Sequence, residues 1–152
     1  MTQATLDVVD DSDTSSFTED QRLIWFAQKE MYFGFLNSDR DRIDRHIDSE
    51  ATIWDAVTET IARGIKDLNA IRATRPSGEA KPIVVSFAVE DPIIDASGDL
   101  AVSRHMLRVK RVGPEGTVSE LMRVSAGWRR VEGSWKIIHA HEDLFSTELS
   151  PA

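Results

Sequence analysis

The chain has 152 residues, 41% apolar and 29% charged, and carries no cysteine. That length suits one domain, and the missing thiols exclude disulfides, thiolate metal sites and cysteine nucleophiles. A formal charge of -8 argues against a nucleic-acid partner, because a surface of that sign repels phosphate backbones.

Residues 1–17 are rich in Asp, Ser and Thr and have no apolar period, which predicts a disordered acidic tail. No basic residue precedes Arg22, the reverse of a secretory leader, so a cytoplasmic location is expected. No apolar stretch approaches the roughly 18 residues of a membrane span, so no membrane partner is expected.

Thr18 followed by Gln21 is a capping-box pattern, and Ile24, Ala27, Met31 and Phe35 recur at helical spacing, predicting a helix from about Glu19 to Leu36. Asp39 can cap a short helix reaching about His46, among alternating charges that read as a solvated face. Thr52, Ile53 and Trp54 form a short strand. After Gly64, the spacing of Ile65, Leu68 and Ile71 predicts a third helix that Pro76 ends, with Pro76, Ser77, Gly78 and Pro82 marking a loop.

From Ile83 the apolar period becomes two. The reading is a strand over residues 83–90 punctuated by Asp91-Pro92, a turn at Ser97-Gly98-Asp99, and a strand over residues 100–111. A Gly113-to-Gly116 turn, a long strand over residues 117–131, a hairpin tip at Glu132-Gly133, and a last strand over residues 134–145 complete the meander. Residues 147–152 are left as a C-terminal tail. Connections this short require antiparallel pairing, and Gly127 is a natural bulge or bend within the longest strand. The expected fold class is α+β, a cone-like curved antiparallel sheet wrapped around N-terminal helices and enclosing a pocket.

The ending Arg123, Ser125, Gly127-Trp128-Arg129-Arg130, Glu132-Gly133, Trp135-Lys136-Ile137-Ile138 and His139-Ala140-His141, with Trp54-Asp55 and Arg63-Gly64 upstream, carries a resemblance. Over residues 18–146 the chain resembles the SnoaL-like branch of the nuclear-transport-factor-2-like superfamily, which includes ketosteroid isomerases, scytalone dehydratases and polyketide cyclases. The resemblance implies a small-molecule pocket, a homodimer, no cofactor and no metal. It implies either a cofactor-free isomerase, dehydratase or cyclase acting on a carbonyl compound, or a non-catalytic ligand-binding or dimerisation module.

Alternation along the last strand places Trp135, Ile137, His139 and His141 on one face, where His139 and His141 could hydrogen-bond a carbonyl or shuttle protons; both could equally satisfy partners in the core. Asp55, at the mouth of the cone, is the candidate acid, its pKa raised by desolvation, with loop capping as the plain alternative. The substrate-binding candidates are Tyr32, Trp54, His105, Arg123 and Trp128. Arg123 joins the histidine side only if a bulge shifts the last hairpin, and that inward register is the one expected; the tryptophans also suit simple core packing. His105, His139 and His141 could together be read as zinc ligands, but no spacing fixes the third. His46 is expected to be exposed and inert.

Overall fold

The computed structural model describes residues 5–75 and 83–151. The first long helix, α1 (Glu19–Leu36), begins as its sequence dictates: Thr18 Oγ1 accepts from the Gln21 amide at 3.2 Å, and Gln21 Oε1 accepts from the Thr18 amide at 2.7 Å. Two short helices follow, α2 (Arg40–Asp44), capped by Asp39, and α3 (Gly64–Ala73). The loop expected after Pro76 lies outside the described residues. Among the described residues, no helix is long and apolar enough to cross a membrane.

The strands are β1 (Val8–Asp10), β2 (Ile47–Trp54), β3 (Ala62–Arg63), β4 (Ile83–Ser97), β5 (Leu100–Gly113), β6 (Gly116–Val131) and β7 (Ser134–Pro151). They form one curved, unclosed sheet in the order β1-β4-β5-β6-β7-β2-β3. The β4 to β7 meander is antiparallel, as its short connections require, whereas β1 and β2 join by parallel pairing to β4 and β7. One side of the sheet packs on α1. Ile24, Trp25, Met31 and Tyr32 of α1 meet Phe87, Leu107, Val109, Val124, Trp128 and Ile137 in the core.

Four segments depart from what the sequence predicts. The expected disordered tail contains β1, because Val8 packs against the core and Asp10 Oδ2 accepts from Trp25 Nε1 and Lys29 Nζ, each at 2.9 Å. Composition is blind to that tertiary partner. The expected C-terminal tail is the end of β7, where the ladder with β6 continues to Gly116 opposite Pro151. Asp91-Pro92 does not end its strand: Asp91 adopts a φ of 54° and the register slips between Glu90 and Ile93, so a bulge absorbs the interruption. His46 is not exposed; it is half-buried, with Nε2 at 3.7 Å from Glu30 Oε1.

Candidate functional site

The faces of β7 are decided at one residue. Glu132 and Gly133 form a two-residue hairpin loop, both at positive φ as this twist prefers, and Val131 pairs with Ser134. Trp128 then pairs with Ile137, but Gly127 pairs with His139, so Ile138 is an extra residue. Before this bulge Trp135 and Ile137 point into the core. Beyond it the alternation is inverted: Ala140 and Glu142 lie opposite Ala126 and Val124 of the helix side, while His139, His141 and Asp143 face outward.

His139 and His141 therefore do not line the interior, contrary to simple alternation. His139 Nδ1 lies 2.8 Å from Thr52 Oγ1. His141 is exposed and tilts against the Trp54 ring, with centroids 5.8 Å apart; Trp54 is itself 41% exposed. Arg123 does share the histidine side, but that side is outward. There it forks onto Asp143 at 2.6 and 3.0 Å. His105 is on the opposite side of the sheet from His139 and His141, so the three cannot share a metal ion.

Asp55 is a loop cap. Its Oδ1 accepts from the Val57 and Thr58 amides at 3.0 and 2.7 Å, and its Oδ2 from Thr58 Oγ1 and Arg75 Nη2 at 3.2 and 2.9 Å. Burial alone would raise this carboxyl, but these hydrogen bonds and the Arg75 charge outweigh it and hold it below the ordinary range. The expected raised pKa is thus reversed in sign. Trp128 is core, fully buried, with Nε1 donating to Ser103 Oγ at 2.9 Å.

Tyr32 and His105 are the sequence candidates that meet inside. The Tyr32 hydroxyl lies 2.7 Å from His105 Nε2, both residues are buried, and Trp25 packs edge-on to the imidazole with ring centroids 5.2 Å apart. Burial lowers His105 to about 4 against a weaker opposing pull from Asp10, so the ring is neutral at pH 7. Its Nδ1 and the nearby Gln28 Oε1 are buried with no partner among the described residues. A buried orphan N–H costs more than a buried orphan acceptor. The favoured tautomer therefore carries its proton on Nε2 and donates to Tyr32, whose own hydroxyl proton is directed away from the imidazole, where the Gln28 side chain also meets it.

The residue that sequence reasoning missed is Glu142. His105 pairs with Val124 and Val124 with Glu142, so the imidazole and the carboxyl stand two strand spacings apart, about 10 Å, on the helix side of the sheet. Burial first, and then the Asp55 charge, push Glu142 up to about 7, against the pull of Arg75 and Arg111. Its charge in turn adds to the burial that raises Tyr32 well above the ordinary phenol value. The available signal was Gly127: a bulge there, carried by the partner strand, exchanges the faces of the histidines and Glu142.

No protein-family model matches the chain, nor does any curated protein. Solved structures do match in fold. A CaMKII hub homology domain from Chlamydomonas reinhardtii has a TM-score of 0.69 at 16% identity, covering 84% of this chain and 100% of its own. A protein from Novosphingobium aromaticivorans, provisionally called a scytalone dehydratase, has a TM-score of 0.72 at 12% identity, covering 92% of this chain and 93% of its own. An NTF2-like protein of unknown function from Pseudomonas putida has a TM-score of 0.65 at 22% identity, covering 86% and 87%. This chain has the NTF2-like α+β cone fold.

Proposed function

We propose that the protein binds a small carbonyl-containing molecule at the helix side of the cone and moves a proton there without a cofactor. The observation that supports it is the row His105, Val124, Glu142 on the helix side of the sheet, which sets a carboxyl pushed up to about 7 within electrostatic reach of the Tyr32 phenol. A general base works best with a pKa near the ambient pH, and Glu142 has that value. As carboxylate it takes the proton from a carbon next to the carbonyl, while Tyr32, oriented by His105, donates a hydrogen bond to the oxygen on which negative charge gathers. Returning the proton to another carbon, or expelling a hydroxide as water, gives isomerase or dehydratase chemistry from one arrangement. The resemblance to the SnoaL-like branch, and the dehydratase name carried by one structural neighbour, point the same way.

The test is deuterium uptake next to the carbonyl, followed by proton NMR in heavy water over a panel of cyclic and acyclic ketones. Exchange is expected to rise with deprotonation of a group near pH 7, to vanish in Glu142→Gln and to slow about 10- to 100-fold in Tyr32→Phe. Exchange that survives Glu142→Gln overturns the reading.

A further inference from the structure

The edge of β4 is closed by β1, and β1 is held there as a separate peptide would be. It runs parallel to β4, with Val8, Val9 and Asp10 opposite Phe87, Ala88 and Val89. Val8 and Asp10 lie on the helix side, while Val9 points away and is 49% exposed. Three grips fix the segment, all from residues remote in sequence. The Asn37 side chain, at the end of α1, acts as a neighbouring strand would: its Oδ1 accepts from the Leu6 amide at 2.9 Å and its Nδ2 donates to the Leu6 carbonyl at 2.8 Å. Val8 packs against the core. Asp10 Oδ2 accepts from Trp25 Nε1 and Lys29 Nζ, each at 2.9 Å. Residues 6, 8 and 10 are thus held by a backbone clamp, an apolar contact and a charged pair, the manner in which a sheet edge reads an added strand.

The connection onward from β1 adds little to that recognition. Residues 11–16 are polar throughout. With one exception, their hydrogen bonds among the described residues are local. Asp10 Oδ1 accepts from the Ser12 amide and Asp13 Oδ1 from the Ser15 amide, each at 3.0 Å, and the Thr14 carbonyl accepts from the Phe17 amide at 3.0 Å. The exception is a longer contact at 3.3 Å, where Arg22 Nη2 donates to the Ser15 carbonyl. The next anchor is Phe17, which packs against the core. A strand gripped by distant residues and joined through a polar hinge can move to an identical groove and keep every contact outside the hinge.

We propose that the groove between α1 and the β4 edge is a strand-binding site whose partner is the N-terminal segment of a second copy, exchanged reciprocally. Each copy then supplies Leu6, Val8 and Asp10 to the other. The fit of the groove to residues 6–10 specifies the occupant, and Lys29 meets its one inward carboxylate. Concentration decides between the closed and exchanged forms, because a short tether holds its own strand at an effective concentration on the order of millimolar. Shortening the hinge removes that advantage. Neither form depends on the proton-transfer reading of the interior.

The chain has no cysteine, so two single variants of the full chain test it directly. Val9→Cys and Ala88→Cys put thiols on facing residues, on the side of the sheet away from α1 and at the spacing of paired strands, where a disulfide can form. The two variants are mixed in equal amounts with oxidised glutathione, and links are identified by peptide mass mapping. A link between position 9 of one chain and position 88 of the other is expected, because only exchange brings them together. Its yield is expected to rise with concentration toward about millimolar and to rise at least about tenfold at low concentration when Asp13, Thr14 and Ser15 are deleted from both variants. Asp10→Lys in both is expected to lower it at least about tenfold, since that change sets two ammonium groups against each other. Three results overturn the proposal: no such link between full-length hinges at millimolar concentration, a link that Asp10→Lys leaves undiminished, or links joining only two copies of the Ala88→Cys variant, which means that strand edges meet without exchange.

Discussion

Trp128 and Ser103 show how much rests on single buried polar contacts. Both are shielded from solvent, and the indole N–H has the Ser103 hydroxyl as its partner. Ser103→Ala leaves that N–H unsatisfied, and a loss of about 1–3 kcal/mol is expected by urea denaturation. His105 and Glu142 make opposed contributions to pH dependence. His105 titrates near 4 in the fold against 6.5 ordinarily, so its contribution is present above pH 6.5 and is lost as pH falls toward 4. Glu142 titrates near 7 against 4.5, so its contribution is present below pH 4.5 and is lost as pH rises through 7. Between about pH 4.5 and 6.5 the two slopes oppose each other. Glu142→Gln is expected to leave stability rising with pH across that window and His105→Asn to leave it falling, both measured by chemical denaturation at stepped pH.

At the scale of elements, the Ile138 bulge has the widest effect. Local rules were enough for α1, whose bounds follow from the Thr18–Gln21 box and its apolar stripe, and for the two-residue turn at Glu132-Gly133. They were not enough for β7, where one extra residue inverts the sides of the residues from His139 until a second bulge at Phe145. Deleting Ile138 gives a ladder without the bulge in which His139 stays opposite Gly127 and Glu142 opposite Val124. Near-ultraviolet circular dichroism and cooperative unfolding are therefore expected to persist, and their loss would show that the bulge itself is needed. Asp20 shows a second device: its Oδ1 accepts from Arg130 at 2.9 Å and from Trp135 at 3.2 Å, fastening the start of α1 to the hairpin.

Across the whole molecule, the sheet is finished by segments remote in sequence. β1 covers the edge of β4 and brings Asp10 to Trp25 and Lys29. Removing residues 1–13 uncovers that edge and leaves the indole N–H without its carboxylate. A lower Tm and concentration-dependent aggregation are expected, by calorimetry and light scattering, because an exposed strand edge templates pairing between copies. The two sides of the sheet carry different groups, with His105, Val124 and Glu142 on the helix side and Arg104, Ser125 and His141 on the other.

The amino-acid sequence alone determined the fold class, α1 and its cap, the antiparallel meander, and the inward placement of Tyr32 and His105, because periodicity, capping and turn chemistry are local properties of the chain. Only the tertiary structure decided that Asp55 caps a loop, that Glu142 replaces His139 and His141 on the helix side, and that the N-terminal residues form β1. Those outcomes depend on inter-strand register and on partners far away in sequence, and neither is encoded in the spacing of residues along one strand.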